Sequence, residues 1–440
     1  MSIKESIETR RTATSAKQES VEAPAAAPAT SEAAFRASCR SCGKRGLLSF
    51  LDLGHTPLAD GLVSAEQLAG SEATYPLEVT FCPECALVQI LETVPPETLF
   101  CQDYPYYSSF SDYWLRHSRE NALDLIERCG LDERSFVVEI ASNDGYLLRN
   151  FVERKIPVLG IDPAEGPVAA ARELGIPTSC TFFTLELAEQ LRSEGRSADV
   201  IIANNVLAHV AQTNDFVEGM RTLLKPDGLI AVEVPYVRDL VEHCEFDTIY
   251  HQHLCYFSVT ALDALFRRHQ LYVNHVKRLP SHGGSLRVYA GRRDDRTDSV
   301  RSLLQEERAL GVDQFEYFAD FSKRVHKIAE DLRRLLVQLK TEGARMAGYG
   351  AAAKACTLLN FTGIGTDLIE YVVDRNVHKQ GKYLPVARIP IKPVEQLMAE
   401  FPDYVVLLVW NLADEITSQQ RDYRDRGGKF IVPIPEIHML

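Results

Sequence analysis

Two CxxC pairs constrain this chain more tightly than anything else in it. Cys39-Arg40-Ser41-Cys42 and Cys82-Pro83-Glu84-Cys85 stand 39 residues apart, whereas Cys101, Cys129, Cys180, Cys244, Cys255 and Cys356 are solitary. Each pair is a short turn that aims two sulfurs at one point, and two such turns complete a tetrahedral four-sulfur shell for Zn²⁺. Gly43 after the first pair suits a tight knuckle. The stretches 50–54 and 77–81 read as strands carrying the knuckles. Either pair alone also reads as a redox dithiol. A closed site of Cys39, Cys42, Cys82 and Cys85 leaves the metal no open position, so its role is structural.

A chain of 440 residues is too long for one core and points to about three domains. Hydrophobic residues make up 45% and charged residues 25%, which excludes collagen-like and largely disordered classes. The longest clean apolar run, 404–410, has seven residues, against the roughly 20 of a membrane helix. No basic start leads into an apolar stretch, so no secretory signal is expected, and ten cysteines then imply a reducing, cytoplasmic setting. Lys plus Arg total 48 and Asp plus Glu 61, a net charge of −13 that repels nucleic acid. The expected partition is a disordered tail over 1–35, a zinc module over 36–100, a middle domain over 101–292, and a long helix with a C-terminal domain over 293–440. No membrane partner is expected, and the chain is expected to be a monomer.

From Ser135 the pattern becomes strand, loop, helix. Phe136-Val137-Val138-Glu139-Ile140 runs into Ala141-Ser142-Asn143-Asp144-Gly145, and Tyr146-Leu147-Leu148 opens a helix. A second strand ends at Asp162, a third leads into Asn204-Asn205 and His209, and Leu224-Lys225-Pro226-Asp227-Gly228 turns into a fourth. Alternation of this kind builds a doubly wound parallel sheet with its ligand at the strands' C-terminal ends. The order resembles the class I S-adenosylmethionine (SAM) methyltransferases. That resemblance implies that Glu139, Ala141, Asn143, Gly145 and Asn205 line the cofactor site and that Asp162 takes the ribose hydroxyls. Another α/β nucleotide-binding domain is the alternative. Three tyrosines in four residues, Tyr104, Tyr106 and Tyr107, precede the domain and either close over an adenosyl group or form an apolar hinge.

The segment Tyr250-His251-Gln252-His253 carries two imidazoles and a phenol, groups suited to acid–base work near neutral pH. In an extended stretch His251 and His253 share a face; in a helical turn Tyr250 and His253 do. His282-Gly283-Gly284-Ser285-Leu286-Arg287 follows, with Arg287 a candidate anion ligand. Together with His209 these residues mark a candidate site.

Taken in order, the CxxC pairs, Tyr-Pro-Tyr-Tyr-Ser-Ser, Glu-Ile-Ala-Ser-Asn-Asp-Gly-Tyr-Leu-Leu, Asn-Val-Leu-Ala-His-Val, Phe-Asp-Thr-Ile-Tyr-His-Gln-His and His-Gly-Gly-Ser-Leu-Arg resemble the nucleotide-sugar C-methyltransferases from Cys39 to the C-terminus. The resemblance implies a TDP-linked 4-keto-deoxysugar substrate, His253 as base, and Tyr250, His209 and Gln252 as its companions. His251, His282, Ser285, Arg287 and Lys354 are the expected substrate contacts. At 252 the family carries glutamate, so an impaired member is one reading of this chain. The ordinary reading is that the residue only orients substrate.

The C-terminal part opens with apolar residues at helical spacing across 313–340, read as one long helix with a stripe buried between domains. Gly348-Tyr349-Gly350-Ala351-Ala352-Ala353 then follows a strand, and Asp374 ends the next one. Without context this is a dinucleotide fingerprint, and an NAD-dependent nucleotide-sugar oxidoreductase is the rival reading. The family resemblance instead implies a Rossmann-like domain that supports the substrate, with Lys354, Arg375, Lys379 and Lys382 as candidate pyrophosphate contacts.

Overall fold

The computed structural model describes residues 31–100 and 106–440. Three sheets organise it. The first contains β1 (Leu48–Pro57), β2 (Thr74–Phe81) and β3 (Val88–Ile90), all antiparallel. The middle domain contributes β4 (Val137–Ile140), β5 (Val158–Asp162), β6 (Thr178–Cys180), β7 (Ala198–Asn204) and β8 (Leu224–Pro235). It continues with β9 (Cys255–Tyr256), β10 (Tyr272–Leu279) and β11 (Ser285–Gly291). Strand β9 leaves its own domain and pairs with β3, extending the first sheet to four strands.

The central sheet runs β10-β11-β8-β7-β4-β5-β6, with β11 antiparallel to both neighbours and β4 to β8 parallel. Strand β4 is buried along its whole length, as expected of a strand covered on both faces. This order, with its one reversed strand, is the class I SAM methyltransferase arrangement. The third sheet holds β12 (Met346–Tyr349), β13 (Val372–Val373), β14 (Ile391–Lys392), β15 (Tyr404–Leu407), β16 (Lys429–Val432) and β17 (His438–Met439). Its order is β14-β13-β12-β15-β16-β17, parallel except for β17, which makes it Rossmann-like. In both α/β sheets the strand order reverses beside the first strand, at β4/β7 and at β12/β15, and ligands bind at such a reversal.

The two cysteine turns are near copies of each other. The Gly43 N–H bonds the Cys39 carbonyl at 2.9 Å, and the Ala86 N–H bonds the Cys82 carbonyl at 2.9 Å. Both residues take the left-handed conformation, φ +72° and +57°. Glycine adopts it freely, while Ala86 is held there against its preference. The four sulfurs lie within 4.8 Å of one another, with Cys39–Cys85 and Cys42–Cys82 separations of 3.6 Å. Sulfurs about 2.3 Å from a tetrahedral zinc would have that spacing.

Three expectations change at element ends. Of the disordered tail expected over 1–35, residues 1–30 lie outside the described residues, and Ser31 caps a helix, Glu32–Arg36, whose Ala34 is fully buried. The helix expected over 313–340 begins only at Phe321 and runs to Thr341. Phe315–Phe318 forms a separate 3₁₀ turn, which sets Phe318 4.9 Å from Phe50 and 5.2 Å from Phe81. That aromatic contact fastens the zinc module to the helix, and the buried stripe is Phe321, Val325, Ala329, Leu332, Leu336 and Leu339. After Tyr146-Leu147-Leu148 the helix is a single turn, Arg149–Val152. No helix among the described residues is long and apolar enough to cross a membrane.

Replacing Cys42 by serine removes one of four thiolates. Purified Cys42→Ser is expected to lose stoichiometric zinc by atomic absorption, and its first thermal transition should fall, since metal-binding free energy is folding free energy for so small a module. Full zinc retention would contradict the four-sulfur site.

Candidate active site

One cavity of about 1110 Å³ receives the C-terminal ends of both α/β sheets. Ala141, Asn143, Asp162, Asn204 and Asn205 line it from the middle domain, and Tyr349, Gly350, Asp374 and Asn411 from the C-terminal domain. Ala141 (φ +58°), Asn143 (+50°), Asn205 (+53°) and His282 (+58°) all border it in the left-handed conformation. Non-glycine residues persist there only when their surroundings hold them.

The expected cofactor residues divide into those on the wall and those behind it. Asp162 accepts the Asn143 N–H on one oxygen and the Ala164 N–H on the other, both at 2.9 Å. Burial pushes its pKa up, and those two N–H groups oppose the shift. The carboxylate is therefore fixed at the end of β5, on the cavity wall, with lone pairs left for further donors. Asn143 also orders the incoming chain, accepting the Ser108 N–H at 2.8 Å and donating to the Tyr106 carbonyl at 3.1 Å. Gly145 lies beneath the loop, where a Cβ would come 2.3 Å from Ile176 Cδ1, so its role is close packing. Tyr104 lies outside the described residues.

The polar atoms suit SAM. Buried Glu139 leaves Oε2 without a hydrogen-bond partner among the described residues, as do Asn204 Oδ1 and Asn205 Oδ1. Burial, then Asp162 and Asp144, raise the Glu139 carboxyl well above its usual range. A ligand with amine and hydroxyl donors would satisfy the two asparagine oxygens, which line the cavity, whereas Glu139 does not line it.

Tyr250, Gln252 and His253 line the same cavity, with His209 and His282 beside them. The segment is a turn, closed by the His253 N–H on the Tyr250 carbonyl at 2.8 Å. It follows the helical alternative, so Tyr250 and His253 meet: the phenol oxygen is 3.0 Å from His253 Nε2. His253 Nδ1 lies 2.8 Å from the Thr248 carbonyl oxygen, which only accepts. Nδ1 must therefore carry the proton, and Nε2 presents the lone pair that the Tyr250 hydroxyl occupies. Burial, with His209 next, lowers His253 well below its ordinary pKa. His209, with its ring 4.9 Å from His253, and His282, packed on Trp114, are both pushed down by burial to about 4. All three imidazoles are neutral at pH 7.

Three expected substrate contacts are not on the cavity wall. His251 turns the other way, fully buried, with Nε2 3.2 Å from the Pro76 carbonyl and its ring edge-on to Tyr75. The turn that joins Tyr250 to His253 necessarily sends 251 toward the zinc module. Arg287 is paired with buried Glu233 at 2.9 Å and His117 at 2.9 Å, which leaves it no free fork for an anion. Ser285 bonds the Ser281 carbonyl at 2.9 Å and is likewise internal. Lys354 does line the cavity, with Nζ 2.9 Å from Asn411 Oδ1 and 4.3 Å from the centre of the Trp410 ring. Burial lowers its pKa, while Asp247 and Glu245 pull it back up. Arg375 and Lys379 line the cavity as well, but Lys382 does not.

Asp374, the acid of the dinucleotide-like pattern, is on the wall, whereas Asp60, Asn376 and Asn411 were not legible as site residues. Each reaches the wall from a loop whose spatial neighbours are distant in sequence.

The chain is 36% identical over 405 residues to the C-methyltransferase NovU of Streptomyces niveus, an alignment that spans 91% of this chain and 96% of that one. This chain belongs to the C-methyltransferase family. Three domain families match along it: a zinc binding domain over 39–100, a methyltransferase domain over 114–276, and a C-methyltransferase C-terminal domain over 280–435. A shorter match, 28% identical over 97 residues, joins it to a ubiquinone biosynthesis O-methyltransferase of Bartonella tribocorum, covering 22% of this chain and 39% of that one. The magnesium protoporphyrin IX methyltransferase of Synechocystis PCC 6803, solved with SAM, superposes with a TM-score of 0.32 at 12% identity, over 41% of this chain and 79% of that one.

As a member of this C-methyltransferase family the protein has a SAM-binding methyltransferase domain and a four-cysteine zinc-binding module. The NAD reading of 348–354 is set aside.

Asp162→Ala removes the proposed ribose acceptor. Calorimetric titration with SAM is expected to show at least about a tenfold loss of affinity, because a charge-assisted hydrogen bond contributes roughly 1.5–3 kcal/mol. Zinc content should be unchanged. Unaltered SAM affinity would remove Asp162 from the site.

Proposed function

We propose that this SAM-dependent C-methyltransferase methylates a ring carbon next to the ketone of a TDP-linked 4-keto-deoxysugar, with His253 as the base. The observation that carries the reading is the Tyr250–His253 pair, whose proton positions are fixed by the Thr248 carbonyl and which opens into a cavity shared by two α/β domains.

The ketone acidifies the hydrogen on the neighbouring ring carbon. His253 Nε2 takes that proton, the C–H electron pair becomes the enolate, and Nδ1–H stays on the Thr248 carbonyl to steady the imidazolium. Before that, the Tyr250 hydroxyl must leave the Nε2 lone pair. Redirected to the ketone oxygen, it donates a hydrogen bond to the developing oxyanion. Lys354, Arg375 and Lys379 supply local positive charge for the diphosphate. SAM bound against Asp162 supplies the electrophilic sulfonium methyl that the carbanion accepts. The chain's part is to hold the carbon and the methyl near 3 Å apart and in line. Tyr106, Tyr107 and Phe110 cover one side of the cavity, and Tyr107 stacks on His378 of the C-terminal domain with ring centres 5.0 Å apart. That contact helps exclude water from the carbanion. NovU's name supports carbon methylation; the sugar assignment rests on the sequence resemblance and on the cavity.

With SAM and TDP-4-keto-6-deoxyglucose, His253→Ala should lower kcat by roughly 10²–10⁴-fold, the usual worth of a positioned base. It should also abolish solvent-deuterium uptake at the acidic carbon in the absence of SAM. Tyr250→Phe should slow turnover by about 10²-fold while leaving SAM affinity intact. Loss of methyl transfer with deuterium uptake unchanged in His253→Ala would exclude His253 as the base.

The pH dependence has a definite sign. The base acts when neutral, and burial lowers the His253 pKa below 6.5. The acid limb of kcat/KM should therefore lie below pH 6.5, with no decline between pH 7.5 and 6.5. A limb centred at or above pH 6.5 would contradict the assignment.

A further inference from the structure

Asp60 is a zinc-module residue on the wall of the methyltransferase cavity, 192 positions from Gln252 and in contact with it. Gln252 is 3% exposed, and its Nε2 donates to Asp60 Oδ2 at 3.2 Å. A carboxylate only accepts, so the amide is forced to turn its NH₂ toward Asp60. Its carbonyl oxygen, Oε1, then has no hydrogen-bond partner among the described residues, although it is buried and Gln252 lines the cavity. An orphaned acceptor in such a place calls for a donor from the ligand.

We propose that Asp60 is a positioning residue that locks the Gln252 amide with its carbonyl oxygen toward the acceptor substrate, where it receives a neutral donor such as a sugar hydroxyl. The zinc module thereby contributes to substrate recognition as well as to stability. The inference rests on the sugar reading above for the ligand, and on geometry alone for the pair.

The groups around Asp60 set the charge of this corner. Lys379 faces it from the C-terminal domain, with Nζ held by the Ala351 carbonyl at 2.8 Å. Tyr106 approaches from the segment before the middle domain, and the Cys356 thiol from the helix Ala353–Thr362. Among the described residues Lys379 is the cation that opposes Asp60, and burial pushes the Asp60 carboxyl up. A glutamate at 252 would put a second carboxylate against the first, and two such groups cannot both ionise without a large cost. Glutamine at 252 is thus the residue that Asp60 requires, and the departure from the family's pattern does not by itself mark an impaired enzyme.

The test uses the full zinc-loaded chain as Asp60→Ala, Asp60→Asn, Gln252→Glu and the double variant Asp60→Asn/Gln252→Glu. With TDP-4-keto-6-deoxyglucose, Asp60→Ala should raise KM about tenfold, the loss of one good hydrogen bond, with SAM affinity unchanged. Asp60→Asn, which keeps an acceptor for the amide, should recover most of that loss. A merely structural Asp60 would move SAM affinity and KM together. In Gln252→Glu one carboxyl acquires a folded pKa above its unfolded value near 4.3, so the folded state binds more protons and stability falls as pH rises from about 5 to 8. The double variant, in which an amide at 60 donates to the new carboxylate, should lose most of that slope. An unchanged KM in Asp60→Ala, or a Gln252→Glu slope unaffected by Asp60→Asn, would overturn the proposal. If the wild-type chain turns over none of this sugar, the substrate reading falls, and the stability-against-pH slopes decide the Asp60–Gln252 pair independently.

Discussion

The site depends on how one turn, 249–254, is held from three directions. At its far end β9 pairs with β3, and the Ile90 N–H bonds the Leu254 carbonyl at 3.1 Å. The middle domain's own sheet reaches it through the Leu254 N–H on the Ala208 carbonyl at 2.8 Å. At its near end the Thr357 hydroxyl of the C-terminal domain donates to the Ile249 carbonyl at 2.9 Å. A six-residue turn with two imidazoles and a phenol would otherwise sample many rotamers. These backbone anchors fix it, and the Tyr250–His253 contact follows. A displacement of about 1 Å can cost two orders of magnitude in rate, so the three-way anchoring accounts for domains that hold no reacting atom themselves.

The zinc module takes its place in this scheme through the same turn. Its metal site is closed and does no chemistry on the substrate. It stiffens the loops that present β3 to β9, and the first knuckle is docked on the middle domain by Thr213 and Asn214, whose side chains bond the Arg40 carbonyl at 2.8 and 2.9 Å. Aromatic packing of Phe50 and Phe81 on Phe318 ties the other side of the module to the long helix. The module is therefore a bracket between the two α/β domains, and Asp60 and His251 are where that bracket reaches the turn.

What was legible in the sequence follows from how local its causes are. The four cysteines were readable because each CxxC turn is self-contained. The doubly wound order was readable because buried parallel strands and their loop signals recur in register with the chain. His251 was misassigned because periodicity offers two answers for four residues, and only tertiary anchoring chooses the turn over the strand. Arg287 was misassigned because a guanidinium in a loop-to-strand segment reads as an anion ligand, while its partners Glu233 and His117 lie 54 and 170 positions away. The helix expected from 313 starts late because Phe318 gains more by entering the aromatic cluster than by extending a helical stripe. Asp60 was invisible for the same reason as Arg287's partners: its meaning lies in a contact across 192 residues.

The net charge of −13 looks unfavourable for the proposed diphosphate ligand until its distribution is considered. Exposed charges farther apart than about 8–10 Å are screened at physiological salt, so the global field decides little inside a cavity. There Lys354, Arg375 and Lys379 converge from the C-terminal domain. The acids facing them are engaged in their own contacts: Asp374 with the Ala351 N–H, Asp247 with the Trp410 indole at 2.7 Å, and Asp60 with Gln252. Three neutral imidazoles complete the lining. The cavity wall thus carries cationic groups on the C-terminal domain and, on the middle domain, the unpaired oxygens of Asn204 and Asn205. Under the proposed function the diphosphate would lie toward the first and SAM toward the second, with the carbon to be methylated between them, beside His253.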